Sequence, residues 1–417
     1  MRYFGTDGIR GVYGVGITED LAYRAGRSLG YLLGGRCIVG RDTRLSGPEL
    51  ESALVRGLTE SGTDAECVGV LPTPAVSEAT CASEGAFGVM ISASHNPPEY
   101  NGIKVFLPSG VKPGEAIESA VEYYMDDLPP RASLPGRVSY RSGTAEYLAR
   151  LMRRAKETGE RLGRSGRLDG MRVLLDCAGG AAGKVARELF SALGAEAGEL
   201  CSDCRGECIN VRCGALHPES MAARAESGGY DVGLSFDGDA DRLVVWRRRL
   251  MTGDEMMYNI SGIYPAGSVV VGTVMSNSAL ERALAARGKR FVRTAVGDRN
   301  VGEVMAVTRA VLGGEPSGHF ILEGSRTGDG LLSGVAACLI LYARGLDSLD
   351  ADPQKLVSVP CRAGATETQR FRDACADARR LARRIVVRPS GTEPLLRIMA
   401  EGGDVDGAVA LIAGALS

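Results

Sequence analysis

Residues 18–42 read TEDLAYRAGRSLGYLLGGRCIVGRD, a helix pattern that runs directly into a short apolar strand. Thr18 supplies a helix cap, two acids follow it, and apolar residues then recur at helical spacing. The pattern continues with a capped helix at 46–62 and with apolar strands at 65–71 and 85–92. Strands that alternate with helices predict parallel βαβ units with helices on both faces of the sheet.

The same rhythm returns further along the chain. Strand patterns that end in polar or glycine-rich loops are MRVLLDCAGGAAG (171–183), YDVGLSFDGDADR (230–242), SVVVGTVMS (268–276) and VLGGEPSGHF (311–320). In open α/β sheets the loops at the carboxyl ends of the strands build the active site. We therefore expect the chemistry of this protein to lie in these loops.

The length of 417 residues exceeds what one compact core usually organises. Breaks rich in proline and charge fall at 126–137 and 343–355, and a further break falls near Phe236. The predicted fold class is α/β, with three related α/β domains and a smaller α+β domain. Their predicted limits are 1–130, 138–236, 237–345 and 354–417.

The composition excludes several classes of protein. A formal net charge of −2 argues against a general nucleic-acid or membrane-surface binder. No apolar run has membrane-spanning length, and the start MRYFGTDGIRG lacks the apolar stretch of a secretion signal. Eleven cysteines, an odd number, fit a reducing compartment better than a disulfide framework. We therefore expect a cytoplasmic protein without nucleic-acid or membrane partners.

Three acids alternate directly after an apolar strand, in SFDGDADRLVVW. In an extended loop the carboxylates of Asp237, Asp239 and Asp241 can converge on one cation, and Mg²⁺ suits them best. One alternative is a solvated turn, because Asp and Gly are favoured turn residues. Another is a mechanism in which Asp237 accepts a phosphoryl group and Asp239 acts as a general acid.

The segment GVMISASHNPPEYNGIK (88–104) begins as a buried strand and ends in a polar loop. It places Ser94, beside His95 and Asn96, on a loop that we expect to be exposed. If Ser94 carries a phosphoryl group, the acids can hold the metal that neutralises it. Otherwise Ser94 is an ordinary loop serine. We expect Ser92, at the end of the strand, to be a supporting hydroxyl.

The loop RPSGTEPLLRI brings together two guanidinium groups, two hydroxyls and a glycine amide. Arginine presents a fixed fork of donors, and glycine lets backbone N–H groups approach an anion. These residues predict a phosphate cradle, with a Pro-Gly turn as the alternative. The residues are Arg388, Ser390, Gly391, Thr392 and Arg397.

The loop GGEPSGHF supplies an acid, a hydroxyl and an imidazole at alternate positions. Glu315 and Ser317 suit paired sugar hydroxyls, and His319 can transfer protons at neutral pH. A purely structural histidine is the alternative.

The segment CSDCRGECINVRCGALH suggests zinc, an iron–sulfur cluster or reduced loop thiols. Its candidate ligands are Cys201, Cys204, Cys208, Cys213 and His217.

Six motifs in order resemble the α-D-phosphohexomutase superfamily over essentially the full length: YFGTDGIRG, ISASHNP with NGIK, DGDADR, GEPSGH, TGDG and RPSGTEP. The resemblance implies four domains around a central cleft, the fourth closing over the substrate. It implies that Ser94 is phosphorylated and binds Mg²⁺ together with the three acids, that Glu315 and Ser317 hold sugar hydroxyls, and that the loop from Arg388 to Thr392 grips the non-reacting phosphate. The resemblance places further catalytic groups around the reacting phosphoryl group and its serine: Arg10, His95, Lys104, Arg242 and His319.

The resemblance also implies the substrate class. YFGTDGIRG, VGRDTRLSG and CGALHPE are most similar to the phosphoglucosamine mutases, so we expect a sugar phosphate as partner, a hexose (glucosamine) 1,6-bisphosphate as intermediate, and a monomer or homodimer. A glucose- or mannose-phosphate mutase shares the core motifs. An Asp-nucleophile phosphatase and a sugar-phosphate binding protein are the alternatives of other classes.

Overall fold

The computed structural model describes residues 2–5, 7–203, 205–362, 364–389 and 395–416. These residues form four units, each built on one sheet. Among the described helices, none is both long and apolar enough to cross a membrane. The predicted class, three α/β domains followed by a smaller α+β domain, is confirmed.

The first unit has a seven-stranded sheet of order β1-β2-β6-β5-β3-β4-β7. Its strands are β1 (Phe4–Gly5), β2 (Gly8–Val12), β3 (Arg36–Arg41), β4 (Asp64–Val70), β5 (Ala86–Ile91), β6 (Tyr100–Phe106) and β7 (Val138–Tyr140). Its helices are α1 (Glu19–Leu33), α2 (Gly47–Glu60), α3 (Thr73–Ala82) and α4 (Glu115–Asp126). Helix α1 begins where the sequence predicts, because the Thr18 hydroxyl accepts a hydrogen bond from Leu21 N at 3.1 Å.

The second and third units have four-stranded sheets, of order β11-β10-β8-β9 and β13-β12-β14-β15. The second contains α5 (Thr144–Arg161), β8 (Arg172–Asp176), α6 (Ala186–Ala192), β9 (Glu196–Leu200), α7 (Glu219–Ser227), β10 (Val232–Phe236) and β11 (Leu243–Trp246). The third contains α8 (Gly253–Ser261), β12 (Val269–Thr273), α9 (Ser278–Ala286), β13 (Arg290–Thr294), α10 (Asp298–Thr308), β14 (Leu312–Gly314), β15 (Phe320–Leu322) and α11 (Gly330–Arg344).

The fourth unit is an antiparallel sheet of order β16-β18-β17 with two helices. Its elements are β16 (Gln354–Pro360), α12 (Gln369–Leu381), β17 (Ala382–Pro389), β18 (Leu395–Gly403) and α13 (Val405–Gly414). It has a core of its own around Phe371, Ile398 and Ile412. One larger core, in contrast, is continuous through the first three units.

The first three units share a strand arrangement that positions the loops after β5, β10 and β14, which carry the candidate site residues. In each unit a strand with a parallel neighbour runs into a reactive loop, and the next strand returns antiparallel beside it: β5 and β6, β10 and β11, β14 and β15. The parallel βαβ units expected from the sequence are present in each of these sheets, and the antiparallel return strand is added to them. Each return strand is a short apolar run directly after the loop, so it pairs with the strand it has just left rather than crossing over through a helix.

Two sheets extend beyond the limits expected from the sequence. β7 pairs parallel with β4, so the first sheet includes residues 138–140, which were assigned to the second domain. β11 pairs with β10 in a four-residue antiparallel register, so the second sheet continues past 236 to Trp246. Backbone pairing, which composition does not reveal, decides which sheet each strand joins.

Asp254, in the first turn of α8, makes the stability of the third unit depend on pH. The residue is 6% exposed, its Oδ2 accepts from Asn277 N at 2.7 Å, and its Oδ1 has no hydrogen-bond partner among the described residues. Burial raises the pKa of Asp254 to about 6. Because the folded state then holds its proton to higher pH than the unfolded state, this group lowers stability as pH rises towards and through 6.

We predict that replacing Asp254 with asparagine flattens this dependence. Between pH 5 and pH 7.5 the free energy of unfolding of the wild type should fall by about 1 kcal/mol more than that of Asp254→Asn. Urea unfolding across that range measures the difference. Equal slopes for the two proteins would contradict the prediction.

Candidate active site

Ser94 lies just beyond β5, in the serine loop (residues 92–99). The residue is 1% exposed, whereas the sequence predicted an exposed loop. Its φ of 51° is in the left-handed region, and the residue contacts Asp237 and Asn210 of the second unit. The burial arises from this contact between units, which spacing along the chain does not show.

The Ser94 hydroxyl faces the acidic loop (residues 237–242). It donates to Asp237 Oδ2 at 2.6 Å and lies 3.2 Å from His95 Nδ1. The backbone N of Ser94 donates to Ser92 Oγ at 2.8 Å, and the Ser92 hydroxyl donates to Asp42 Oδ2 at 2.7 Å. The supporting role predicted for Ser92 agrees with these contacts.

The three acids of the acidic loop form a buried cluster. Asp237, Asp239 and Asp241 each offer one carboxylate oxygen, and these atoms lie within 4.8 Å of one another. Oδ1 of Asp239 and Oδ1 of Asp241 accept no hydrogen bond from the described residues. Buried oxygens without donors are costly, and oxygen ligands suit a hard divalent cation. The triplet can therefore hold such a metal ion.

Lys104 is the nearest counter-charge to this cluster. Its Nζ donates to Asp239 Oδ2 at 2.6 Å and to Asp241 Oδ2 at 3.0 Å. Burial opposes the charge of Lys104, but the surrounding carboxylates outweigh it and hold its pKa well above the usual value. Burial, followed by the charges of Asp241 and Asp239, raises the pKa of Asp237 well above its usual range. Lys104 contacts Asp239 and Asp241 but not Asp237, and a cation beside Asp237 would add positive charge there.

Arg10 and His95 flank the serine. The Arg10 guanidinium donates to Asn96 Oδ1 at 3.3 Å and pairs with Asp7. Burial, with the charges of Arg242 and Arg10, lowers the pKa of His95 to about 3. The imidazole of His95 is therefore neutral at neutral pH, and positive charge near the serine comes from the arginines.

His319 and Arg242 bring the third unit against the acidic loop. They form an antiparallel bridge, and Arg242 Nε lies 4.0 Å from both Asp237 Oδ2 and Asp241 Oδ1. His319 is 3% exposed, with Nε2 at 3.6 Å from Asp298 Oδ2. Neither ring nitrogen of His319 has a hydrogen-bond partner among the described residues, so the imidazole is free to meet a ligand.

The sugar loop (residues 315–319) places its acid and its hydroxyl at the surface of the site. Glu315 is half-buried, and its Oε1 accepts from Gly297 N at 3.1 Å. Ser317 is exposed. Both groups thus remain accessible to a bound molecule.

The predicted phosphate cradle lies partly within the described chain. Arg388 and Arg397 face each other across β17 and β18, and neither Nε has a hydrogen-bond partner among the described residues. Burial and the charge of Arg397 lower the pKa of Arg388, while Glu315 acts in the opposite direction. Two adjacent guanidinium groups with free donors suit an anion. Ser390, Gly391 and Thr392 lie outside the described residues.

Several residues of the site were not singled out from the sequence. Lys112 pairs with both Asp7 of the first unit and Asp298 of the third, which ties the two units together beside His319. Thr73, at the start of α3, donates its hydroxyl to Asp239 Oδ2. Asp7 stands within the motif YFGTDGIRG, whereas none of the motifs quoted above includes Thr73, Lys112 or Asp298.

The cysteine cluster lies beside this site. Cys201, Cys213 and Asp176 each offer an atom within 4.8 Å of the others. The oxygens of Asp176, however, already accept from two backbone N–H groups and from the Ser235 hydroxyl. Cys204 lies outside the described residues. Within the described chain, Cys208 and His217 do not join this group, so it holds fewer thiol and imidazole ligands than a zinc or iron–sulfur site needs, and we propose no such site here.

Comparison with known proteins accounts for the four units. The phosphoglucomutase/phosphomannomutase α/β/α domains I, II and III match residues 1–130, 145–250 and 252–356, and the C-terminal domain of that family matches residues 351–415. The chain belongs to the phosphoglucomutase/phosphomannomutase family. It is an enzyme of the phosphohexomutase type, as the resemblance in the sequence predicts.

Curated members of the phosphoglucomutase/phosphomannomutase family are similar over nearly the whole chain. A phosphoglucosamine mutase of Moorella thermoacetica is 43% identical, covering 97% of this chain and 96% of that protein. One of Thermotoga neapolitana is 41% identical, with the same two coverages. These identities make the shared fold and family secure.

Solved structures of this family show the same architecture. A phosphoglucomutase/phosphomannomutase family protein of Burkholderia thailandensis aligns with a TM-score of 0.80 at 27% identity, covering 99% of this chain and 95% of that one. Two structures of the Aspergillus fumigatus N-acetylphosphoglucosamine mutase, one of them of a serine-to-alanine variant, share the fold. The complex with glucose 1,6-bisphosphate has a TM-score of 0.64 at 18% identity, covering 99% and 94%. The complex with GlcNAc-6P and magnesium has a TM-score of 0.61 at 19% identity, covering 91% of this chain and 82% of that one.

Proposed function

We propose that this chain is a phosphoglucosamine mutase, which interconverts glucosamine 6-phosphate and glucosamine 1-phosphate through a phosphoserine at Ser94. The hydrogen bond from Ser94 Oγ to Asp237 Oδ2, inside a three-acid cluster, carries the proposal. A hydroxyl that touches a metal-binding carboxylate is placed to carry a phosphoryl group. The similarity to curated phosphoglucosamine mutases supports the choice of sugar.

The chemistry is a phosphoryl transfer in two stages. A free hydroxyl oxygen of the hexose monophosphate forms a bond to phosphorus as the bond between phosphorus and Ser94 Oγ breaks. That hydroxyl loses its proton, and Ser94 Oγ takes one up. The resulting 1,6-bisphosphate then reorients in the cleft, so that its other phosphate faces Ser94. The phosphoryl group that the sugar carried at the start is then transferred to Ser94 Oγ, which loses its proton, and the sugar oxygen that it leaves takes one up. The net result moves the phosphoryl group between O6 and O1.

The residues of the site serve this transfer by charge and position. When bound, Mg²⁺ would neutralise charge on the transferring phosphoryl group, and the three acids with Ser94 would hold it. Arg10 brings a further fixed positive charge beside the serine. Lys104 stays protonated against the acids and adds to this positive field.

Proton transfer and substrate orientation come from the third and fourth units. We assign proton transfer to His319, whose ring nitrogens are unpaired within the described chain. Glu315 and Ser317 bind sugar hydroxyls, and Arg388 and Arg397 grip the phosphate that is not reacting. Because the bisphosphate must present either end to Ser94, the cradle has to stand apart from the serine. Water exclusion by the fourth unit would protect the phosphoserine from hydrolysis.

The choice of hexose distinguishes this proposal from its nearest rival, a glucose- or mannose-phosphate mutase of the same mechanism. We expect kcat/KM for glucosamine 6-phosphate to exceed that for glucose 6-phosphate and mannose 6-phosphate by about tenfold or more. A coupled assay with all three sugars measures this. Glu315→Gln should lower all three values by a similar factor, because this carboxylate is assigned to hydroxyls that the sugars share. A preference for glucose or mannose phosphate would contradict the proposal.

The other predictions from the sequence stay predictions. They are the location in the cytoplasm and the assembly as a monomer or homodimer. The magnesium and glucose 1,6-bisphosphate bound in the Aspergillus fumigatus complexes support Mg²⁺ and a hexose bisphosphate as the groups that this site would bind.

A further inference from the structure

Ser94 adopts a backbone conformation that needs support. Its φ of 51° lies in the left-handed region, which costs a non-glycine residue about 1 kcal/mol or more. Such a residue keeps one orientation only when surrounding contacts fix it. The peptide carbonyls of Ser94 and Asn96 are the groups that make these contacts.

Two donors converge on the same pair of carbonyls. Arg44 Nη2 donates to Ser94 O at 2.9 Å and to Asn96 O at 2.7 Å. Asn210 Nδ2 donates to Ser94 O at 2.9 Å and to Asn96 O at 3.0 Å. Each carbonyl therefore accepts from a guanidinium group of the first unit and from an amide of the second.

Arg44 is held rigidly. Its side chain and that of Asp42 are fully buried, and Arg44 Nε donates to Asp42 Oδ2 at 3.0 Å. The same oxygen of Asp42 accepts from Ser92, whose own oxygen accepts from Ser94 N. The backbone on both sides of Ser94 is thus tied to one ion pair.

Asn210 is fixed by the loop that carries it. The residue is 8% exposed, and its backbone N donates to Ala178 O at 2.8 Å. Gly206, four residues earlier, packs so closely that a Cβ there would lie 2.0 Å from Thr43 O. The segment is therefore pressed against the Arg44 loop, and Asn210 has little freedom to withdraw.

The acidic loop also packs against the Ser94 carbonyl and the Asn210 side chain. A Cβ on Gly238 would lie 2.7 Å from Ser94 O and 3.1 Å from Asn210 Nδ2. Gly238 stands between the first two acids of the triplet. The position of the Ser94 carbonyl is thus set jointly with the position of the metal-binding carboxylates.

We propose that Asn210 is a positioning residue for phosphoryl transfer, which completes from the second unit a two-carbonyl clamp begun by Arg44 and so aims the Ser94 hydroxyl at the acid triplet. The inference rests on the proposed role of Ser94 as phosphoryl carrier. Asn210 touches the carbonyl of Ser94 and not its hydroxyl. It therefore acts through the serine, and its loss should affect turnover rather than substrate binding.

The test is replacement of Asn210 with alanine in the full-length enzyme. A small misplacement of a reacting group is enough to slow a reaction by about a hundredfold. We expect kcat to fall roughly tenfold to a hundredfold with KM unchanged. Asn210→Asp keeps the shape but places a carboxylate oxygen where a donor is needed, and it should lose at least as much kcat. If the alanine variant folds poorly, kcat of the isosteric Asn210→Asp variant still tests the proposal.

Asn259 provides a matched control. It is 1% exposed, and its Nδ2 also donates to two backbone carbonyls, Glu255 O at 2.8 Å and Asp347 O at 2.9 Å. Asn259→Ala should lower the melting temperature with kcat unchanged. If Asn259→Ala lost as much kcat as Asn210→Ala, or if Asn210→Ala and Asn210→Asp kept wild-type kcat, the positioning role would be overturned. A rise in KM at constant kcat would overturn it too.

A second measurement separates this inference from the proposed function. Each protein is mixed with a hexose 1,6-bisphosphate, and the rate at which phosphate appears on Ser94 is followed by mass spectrometry. Slow labelling of Asn210→Ala beside rapid labelling of the wild type and Asn259→Ala supports the clamp. Equal labelling of all three overturns the clamp alone. No labelling of the wild type overturns the phosphoserine mechanism itself.

Discussion

Replacing Ser94 with alanine should reduce mutase turnover by about 10⁴-fold or more, because the variant has no oxygen that can carry the phosphoryl group. The Ser94 hydroxyl contacts both Asp237 and His95, and no other hydroxyl in the described chain contacts this pair. KM should change little, since the residues assigned to the sugar and its distal phosphate are intact. A coupled assay of glucosamine 1-phosphate formation measures the loss.

Ser77→Ala is the matched control for this experiment. Ser77 is a buried serine of the same unit, and its hydroxyl donates to Gly110 O at 2.7 Å. Its loss should cost some stability and leave turnover intact. Activity that survives Ser94→Ala and releases free phosphate would support the rival phosphatase, in which Asp237 is the nucleophile.

Weakening the acid triplet should have the second largest effect. Asp239→Asn removes one negative charge from the cluster and a partner from Lys104, so we expect weaker Mg²⁺ binding and a fall in kcat of about 10²- to 10³-fold. Treatment of the wild type with a chelator should also abolish activity, and added Mg²⁺ should restore it. Calorimetric titration with Mg²⁺ measures the loss of binding independently of turnover.

Asp254→Asn is the control for the triplet. It removes the charge of another buried acid, at the start of α8 and outside the cluster, and should leave Mg²⁺ affinity and kcat unchanged. Equal Mg²⁺ affinity in the wild type and Asp239→Asn, or full activity of a metal-free wild type, would contradict the assignment of the triplet as a metal site.

The positions of the serine, acidic and sugar loops could be predicted from the sequence because each loop follows an apolar strand. Ser94, the acids at 237–241 and His319 come together in the structure because the carboxyl ends of their strands meet in one place. The residue types were sufficient to suggest the chemistry. The alternation of polar and apolar residues could not show that an antiparallel strand follows each loop. For this reason the sequence did not predict that β11 belongs to the second sheet.

Contacts between units were harder to predict. The burial of Ser94 and the convergence of Arg44 and Asn210 on its carbonyl join segments far apart in the chain. Lys112 bridges two acids from different units in the same way. A single sequence shows the local period of polarity but not which surfaces meet. These residues were therefore visible only in three dimensions.

The most direct test of the phosphoserine mechanism is the phosphorylation state of Ser94. The purified protein is incubated with a hexose 1,6-bisphosphate, and its intact mass and peptide map are recorded. We expect one phosphate per chain, located on Ser94. If it is introduced from an isotopically labelled bisphosphate, its label should pass to the sugar phosphate when excess glucosamine 6-phosphate is added. Absence of phosphate from Ser94 after this incubation, or phosphate on Asp237 instead, would contradict the phosphoserine mechanism.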